Sequence, residues 1–365
     1  MEMGTNGAKV EARTLKVPGA TLYFEVRGSG PVLLCISGGP TDAGMFTDLA
    51  ARVADRYTVV SYDQRGHSRS ALDGEPDDIP VALHADDAAA ILAATGNEPA
   101  YVYGISGGGT IGLELVARHP ELVRAFVAHE APVMELLPDA ARWRSAFEDI
   151  SETYRTEGVF PAMGKFGALV EEGGPKYSEE MQQTSPSPES QEMMERMMGN
   201  FDLFIAHEIR QIGGYVPDVG ALRNASTRIV SAAGETSGEQ AARRAAVALA
   251  ERLGIAVTYL PGAHGGWGSD PHEFAERLEL TDDARERIAQ EQRSKVTFEI
   301  EPLGDLVKLT VIHDGFDAGS LVAPMVSEGW PRVVSGVKTL LETGETLPPI
   351  PETPGPARVP ADEAP

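Results

Sequence analysis

The side chains best suited to acyl transfer in this sequence are Ser106, His264 and a glutamate, Glu130 or Glu235. A serine hydroxyl attacks a carbonyl only when a base removes its proton, and a histidine does this best with a carboxylate orienting its ring. Ser106 lies in Tyr101–Gly109, YVYGISGGG. Tyr101, Val102 and Tyr103 read as strand, Gly104–Gly108 as a sharp turn, and Thr110–Arg118 as a helix that stops before Pro120. A serine on such a turn has a strained backbone and an exposed hydroxyl, and glycine at 104 and 108 lets strand and helix cross closely. Gly-x-Ser-x-Gly alone is a common pattern; its place between a strand and a helix is what points to a nucleophile. The alternative is a glycine-rich turn whose serine only caps the helix.

His264, in Leu260-Pro-Gly-Ala-His-Gly-Gly-Trp267, follows a predicted strand in a glycine-lined loop and is the best base. The other histidines fit less well: His119 ends a helix, His67 lies in a turn, and His84, His207 and His272 have helical spacing. His313 lies in a C-terminal appendage, and His129 is expected to point away from its neighbour at position 130. One strand–helix–strand crossover separates Ser106 from Glu130, and strands joined in this way often pair, about 4.8 Å apart. Glu130 is therefore the favoured acid. Glu235, in Ala232-Ala-Gly-Glu-Thr-Ser237, leaves the same edge one strand further along and is the alternative. Ser37-Gly38-Gly39-Pro40 offers backbone N–H groups free of side chains; those of Gly39 and Gly107 could bind the charge of a tetrahedral intermediate.

These turns need a sheet to hold them. Leu22–Val26, Val32–Ile36, Thr58–Tyr62, Val123–Ala128, Arg228–Ala232 and Val257–Leu260 read as strands. Helical spacing over Met45–Val53, Ala82–Ala94, Glu239–Leu253 and Phe274–Leu278 alternates with them. This rhythm predicts an α/β fold, a mostly parallel sheet with helices on both faces. The core spans residues 1–132 and 220–280. Residues 133–219 interrupt it without clear strands, carry seven of the eleven methionines, and read as a helical cap. Helical spacing over Glu192–Ile209 puts Met194, Met197, Met198, Phe201 and Ile205 near one face, either as helix core or as the wall of an apolar substrate pocket. Gly173–Ser190 is polar and reads as a loop. Residues 281–293 form a charged helix or linker, and 294–346 a small appendage. In the appendage Val296–Ile300 and Val307–Ile312 alternate like paired strands around Pro302–Asp305, and Val322–Leu341 is helical. Residues 347–365 are a proline-rich tail.

The formal charge of −24 on 365 residues argues against nucleic acid and anionic membranes as partners. A lone cysteine, Cys35, permits no internal disulfide, and the first residues lack the apolar segment of a signal peptide, so a soluble cytoplasmic protein is expected. No metal or organic cofactor is implied, and nothing indicates an oligomeric state.

Residues 1–280 resemble the α/β-hydrolase superfamily throughout, in LLCISGGP, SYDQRGHSRS, YGISGGG and LPGAHGGW. The order Ser106, Glu130, His264 follows that family's nucleophile, acid and base. Members with the acid after the penultimate strand usually read Gly-x-x-Asp, whereas this sequence has Gly234-Glu-Thr-Ser237. The resemblance therefore favours the variant with the acid after the strand that follows the nucleophile helix. AFVAHEAPVMELLP is similar to the corresponding segment of zearalenone-type lactonases. Haloalkane dehalogenases also place a glutamate there, but their nucleophile is aspartate. Proline aminopeptidases share the Gly-Gly-Pro element, yet no pocket for an amino terminus can be read here. Val296–Leu341 resembles the C-terminal half of a helix-grip domain of the heat-shock ATPase activator homologue type. The resemblance implies a serine hydrolase acting on a carboxylic ester or lactone. The alternatives are a carbon–carbon bond hydrolase or cofactor-free perhydrolase with the same triad, and a ligand sensor that turns over slowly.

Overall fold

A computed structural model of the chain describes residues 9–174, 188–266, 294–303 and 306–316, with isolated positions between 320 and 338. The chain divides into two compact units, Met1–Leu278 and Glu279–Pro365. The expected helix Phe274–Leu278, most of the loop Gly173–Ser190, the segment 281–293 and the tail 347–365 lie outside the described residues.

The first unit is built on a nine-stranded sheet. Its strands are β1 (Glu11–Val17), β2 (Ala20–Gly28), β3 (Val32–Ile36), β4 (Thr58–Tyr62) and β5 (Ala71–Leu72), followed by β6 (Ala100–Ile105), β7 (Val123–His129), β8 (Arg228–Gly234) and β9 (Val257–Leu260). The order across the sheet is β1-β2-β4-β3-β6-β7-β8-β9, with the short β5 beside β2. From β4 to β9 all pairings are parallel, whereas β1, β2 and β4 pair antiparallel. The structure therefore has the expected fold class and adds β1 and β5, two strands the sequence reading lacked.

Both faces of the central strands are buried, as parallel sheets require. Leu33, Cys35, Val59, Tyr103, Ile105 and Val127 face one side, where Leu49, Ala50 and Val53 of α1 (Thr47–Val53) cover them. Leu34, Ile36, Val60, Val102, Phe126 and Ala128 face the other. That side is covered by α2 (Val81–Thr95) and α3 (Gly107–Arg118).

Between β7 and β8 the described residues form helices and turns only. They include α4 (Ala140–Glu157), α5 (Val159–Val170) and α6 (Pro188–Gly199). Beyond buried Asn200 come α7 (Phe201–Leu203), a π-helical turn (Phe204–Glu208), α8 (Ile209–Gly213) and α9 (Val219–Asn224). Single-period helical spacing over Glu192–Ile209 is thus a misreading. A break at Asn200 and an extra residue per turn in the π segment rotate the following side chains out of phase with Met194, Met197 and Met198. α10 (Ala241–Leu253) then covers β8 and ends at Gly254, whose φ of 75° suits a glycine cap.

In the second unit, β10 (Lys295–Leu303) pairs antiparallel with β11 (Leu306–Asp314). The Trp330 ring packs edge-on against Phe298 and His313, and its Nε1–H donates to His313 Nδ1 at 3.0 Å.

Candidate active site

The site stands where β3, β6, β7, β8 and β9 end. β6 runs into Ser106 at φ 53°, ψ −127°, a conformation an L-residue avoids, and α3 starts at the next residue. Two glycines permit the turn. A Cβ on Gly104 would collide with the Gly108 carbonyl, and one on Gly108 with the Ile36 carbonyl. The Ser106 N–H donates to the His129 carbonyl at 2.9 Å, which carries the β6–β7 ladder one residue past the strand end.

Glu130 takes up the same kind of strained backbone, at φ 47°, directly after β7. Its N–H donates to the Ala232 carbonyl at 2.9 Å, so the turn is fastened to β8. Its carboxylate is fully buried. Oε1 accepts from the Gly234 N–H at 2.8 Å, and Oε2 accepts from His264 Nδ1 at 2.6 Å. Burial alone would raise the Glu130 pKa, but the hydrogen bond and charge of His264, with smaller contributions from His129 and Ser237, hold it at about 2.

His264 follows β9 in the loop that hydrogen-bonds back to the β8 turn, where the Thr236 N–H donates to the Gly262 carbonyl at 3.0 Å. With the Nδ1 proton shared with Glu130, the Nε2 lone pair is the basic end of the ring. Glu235 does not hold this position. It is exposed, and its N–H donates to the Leu260 carbonyl at 2.9 Å. His129 turns into the core, where its Nδ1 accepts from the Tyr103 hydroxyl at 2.8 Å and burial pushes its pKa down to about 3.

The Gly39 loop lies against the Ser106 turn. A Cβ on Gly38 would stand 2.6 Å from the Ile105 carbonyl and 2.7 Å from Ser106 Cβ. A Cβ on Gly107 would be 3.6 Å from the Gly39 nitrogen, so the two amides sit side by side next to Ser106. Gly107 opens α3, where a helix leaves its first N–H groups without internal partners.

Ser106, Gly39, Gly107 and His264 line one cavity. Its other walls come mostly from the insert: Trp143 and Phe147 of α4, Phe166 and Leu169 of α5, and Phe204, Ile209 and Ile212 beyond the helix break. Met194, Met197, Met198 and Phe201 are absent from this lining among the described residues, which corrects the expectation that they form the pocket. Met198 is 46% exposed, and Met194 and Met197 are half-buried. Of the residues that do line the cavity, Phe204, Ile209 and Ile212 lie beyond the break at Asn200, which no proline marks, and Trp143, Phe147, Phe166 and Leu169 lie in helices whose facing the sequence pattern alone does not give.

The family model described as alpha/beta hydrolase fold matches residues 31–201. An uncharacterized hydrolase of Bacillus subtilis (strain 168), YraK, is 38% identical over 271 residues, which make up 73% of this chain and 93% of that relative. The chain belongs to the α/β-hydrolase family. Two solved structures share the hydrolase fold at low identity. A thermophilic esterase from Thermogutta terrifontis is 18% identical with a TM-score of 0.57, over 78% of this chain and 99% of its own. An N-acyl homoserine lactone degrading enzyme is 21% identical with a TM-score of 0.56, over 74% of this chain and 100% of its own. Identities this low carry the fold and nothing about substrate. Residues 271–342 of the hydrolase match a second family model, Activator of Hsp90 ATPase homolog 1-like protein. Among the described residues no helix is long and apolar enough to cross a membrane.

Proposed function

We propose that this hydrolase cleaves a carboxylic ester or lactone of an apolar small molecule through an acyl-enzyme formed on Ser106. The observation that carries this reading is the convergence of two strained turns. Ser106 and the His264–Glu130 pair, held at 2.6 Å, meet at one cavity whose remaining walls are mostly aliphatic and aromatic.

Ser106 Oγ attacks the substrate carbonyl carbon as its proton passes to His264 Nε2. Glu130 keeps the Nδ1 tautomer and offsets the positive charge on the ring. The carbonyl oxygen, now anionic, lies between the N–H groups of Gly39 and Gly107. Collapse of this intermediate expels the alkoxide, which takes the proton from His264. In a lactone that hydroxyl stays attached to the acyl group. Water, deprotonated by the same histidine, then attacks the acyl-enzyme and frees the acid and Ser106. The cavity has no Lys, Arg, Asp or Glu in its lining among the described residues, which supports an uncharged group next to the scissile carbonyl.

The test is a panel of esters and lactones of graded acyl size on wild type and Ser106→Ala, alongside a fluorophosphonate probe. Hydrolysis and labelling should both depend on Ser106. Turnover that survives unchanged in the alanine variant would remove the reading, and a burst of about one equivalent followed by a stall would show a sensor instead of an enzyme.

A further inference from the structure

The loop that presents Gly39 is restrained from two directions. From the core side, Gln64 Nε2 donates to the Ser37 carbonyl at 2.7 Å, and Thr41 Oγ1 donates to the Gly38 carbonyl at 2.6 Å. The Gly38 carbonyl and the Gly39 N–H belong to one planar trans peptide, so anchoring the oxygen aims the N–H the opposite way. From the helical insert, Asn200 Nδ2 donates to the Pro40 carbonyl at 2.9 Å, and Arg196 Nε donates to Asp42 Oδ2 at 2.6 Å. Asn200 is itself buried and fully engaged. Its Oδ1 accepts from the Ser68 N–H at 2.7 Å, and Nδ2 also donates to Ser68 Oγ at 2.9 Å.

Gly39 is half-buried but has no side chain of its own to fix it. Its φ is 57°, and a Cβ placed on it would meet no atom within 4 Å, because that direction opens into the cavity. A glycine has more freedom about both of its torsions than any other residue. Proline fixes the φ that follows. With Gly38 O held by Thr41 on one side and Pro40 O held by Asn200 on the other, little rotation of the Gly39 amide remains.

We propose that Asn200, a residue of the insert, is a positioning residue for the oxyanion hole, acting through the Pro40 carbonyl on the Gly39 N–H. This rests on the esterase reading above. The insert segment around Asn200 then shapes the transition state as well as walling the pocket.

Three variants test this: Asn200→Ala, Asn200→Asp and Ser68→Ala. Aspartate keeps the size and can accept from Ser68, but when ionised it has no N–H for Pro40 and sets an oxygen against that carbonyl. Each variant is assayed for kcat and KM on the best ester of the panel, for melting, and for binding of two ketones of matched shape. A trifluoromethyl ketone adds to Ser106 and places an oxyanion in the hole; the methyl ketone only occupies the cavity. Asn200→Ala and Asn200→Asp should lower kcat roughly 10- to 100-fold with KM within about threefold. Trifluoromethyl ketone affinity should fall by the same factor as kcat/KM, with methyl ketone affinity unchanged. Ser68→Ala, which leaves the Pro40 bond in place, should keep kcat within about threefold. A rise in KM with both ketones weakened equally would make Asn200 a plain anchor of the insert and overturn the proposal. So would unchanged kinetics in Asn200→Asp, which covers the case in which Asn200→Ala does not fold. Ser106→Ala separates the two failures: if it remains active and binds both ketones as wild type does, the esterase reading itself falls, and this inference with it.

Discussion

The strand-end turns and the helical insert contribute to the same cavity but obtain their precision differently. At the strand ends, Ser106 and Glu130 hold backbone conformations that side chains avoid; with Ser68 they are the non-glycine residues at positive φ among those described. Each is pinned by ladder hydrogen bonds continuing from β6, β7 and β8, so the sheet overrules the local preference. In the insert no ladder exists. Beside apolar packing of Trp143, Phe147, Phe204 and Ile209 into the shared core, it meets the rest of the unit through scattered polar contacts: Asn200 with Pro40 and Ser68, Arg196 with Asp42, and Glu208 with His67 at 3.0 Å and His84 at 3.4 Å. The His67–Glu208 pair is fully buried. Burial opposes charge on both partners, but their mutual attraction prevails, raising the His67 pKa and lowering that of Glu208. The cavity thus draws one wall from turns continued by a hydrogen-bonded sheet and the others from helices packed and pinned against it.

If that division holds, damage at the strand ends should appear in kcat and damage to the insert's pocket wall in KM, with Asn200, which acts on the Gly39 loop through Pro40, siding with the strand ends. The largest effect is expected for Ser106→Ala, a loss of roughly 10³-fold or more in kcat with melting unchanged. Glu130→Gln should follow, costing on the order of 10²- to 10⁴-fold in kcat, whereas Glu235→Gln should cost less than about tenfold. The reverse ranking would move the acid one strand along the sheet. In the insert, Phe166→Ala and Leu169→Ala should raise KM for bulky apolar esters roughly three- to tenfold and leave acetate esters little changed. Met197→Ser and Met198→Ser should shift either KM by no more than about twofold. Equal shifts in all four would mean that α6 faces the substrate after all.

A separate effect concerns stability in acid. Glu130 sits at about 2 when folded, below the 4.5 of an unperturbed glutamate. Its stabilisation is therefore complete above about pH 4.5 and is lost as pH falls towards 2, an effect of up to about 3 kcal/mol. Melting of wild type should decline through that window more steeply than melting of Glu130→Gln.

The sheet could be read from the sequence because its signals are local. Apolar runs such as Val32–Ile36 and Val257–Leu260 are bounded by glycine and proline, and the observed strands have these same limits. Glu130 could be preferred over Glu235 because a single crossover fixes which strand is adjacent. Other features depend on partners far away in sequence. β1 is mostly exposed and charged, EARTLKV, and is a strand only because β2 pairs with it along its whole length. The part of the pocket wall beyond Asn200 escaped because periodicity assumes one helical repeat. The break at Asn200 is specified by Pro40 and Ser68, well over a hundred residues earlier, and no window on the insert alone contains them.

Cys35 gives this molecule a practical property. It is the sequence's lone thiol, enclosed in the sheet face under α1, and burial pushes its pKa up to about 12. A maleimide or a spin label should therefore pass the native protein by. The chain is in effect a blank for thiol chemistry. A cysteine placed at the exposed Met198 would carry a single reporter on the insert without first removing the native cysteine, and the motion of that segment during turnover could be followed in otherwise unaltered protein.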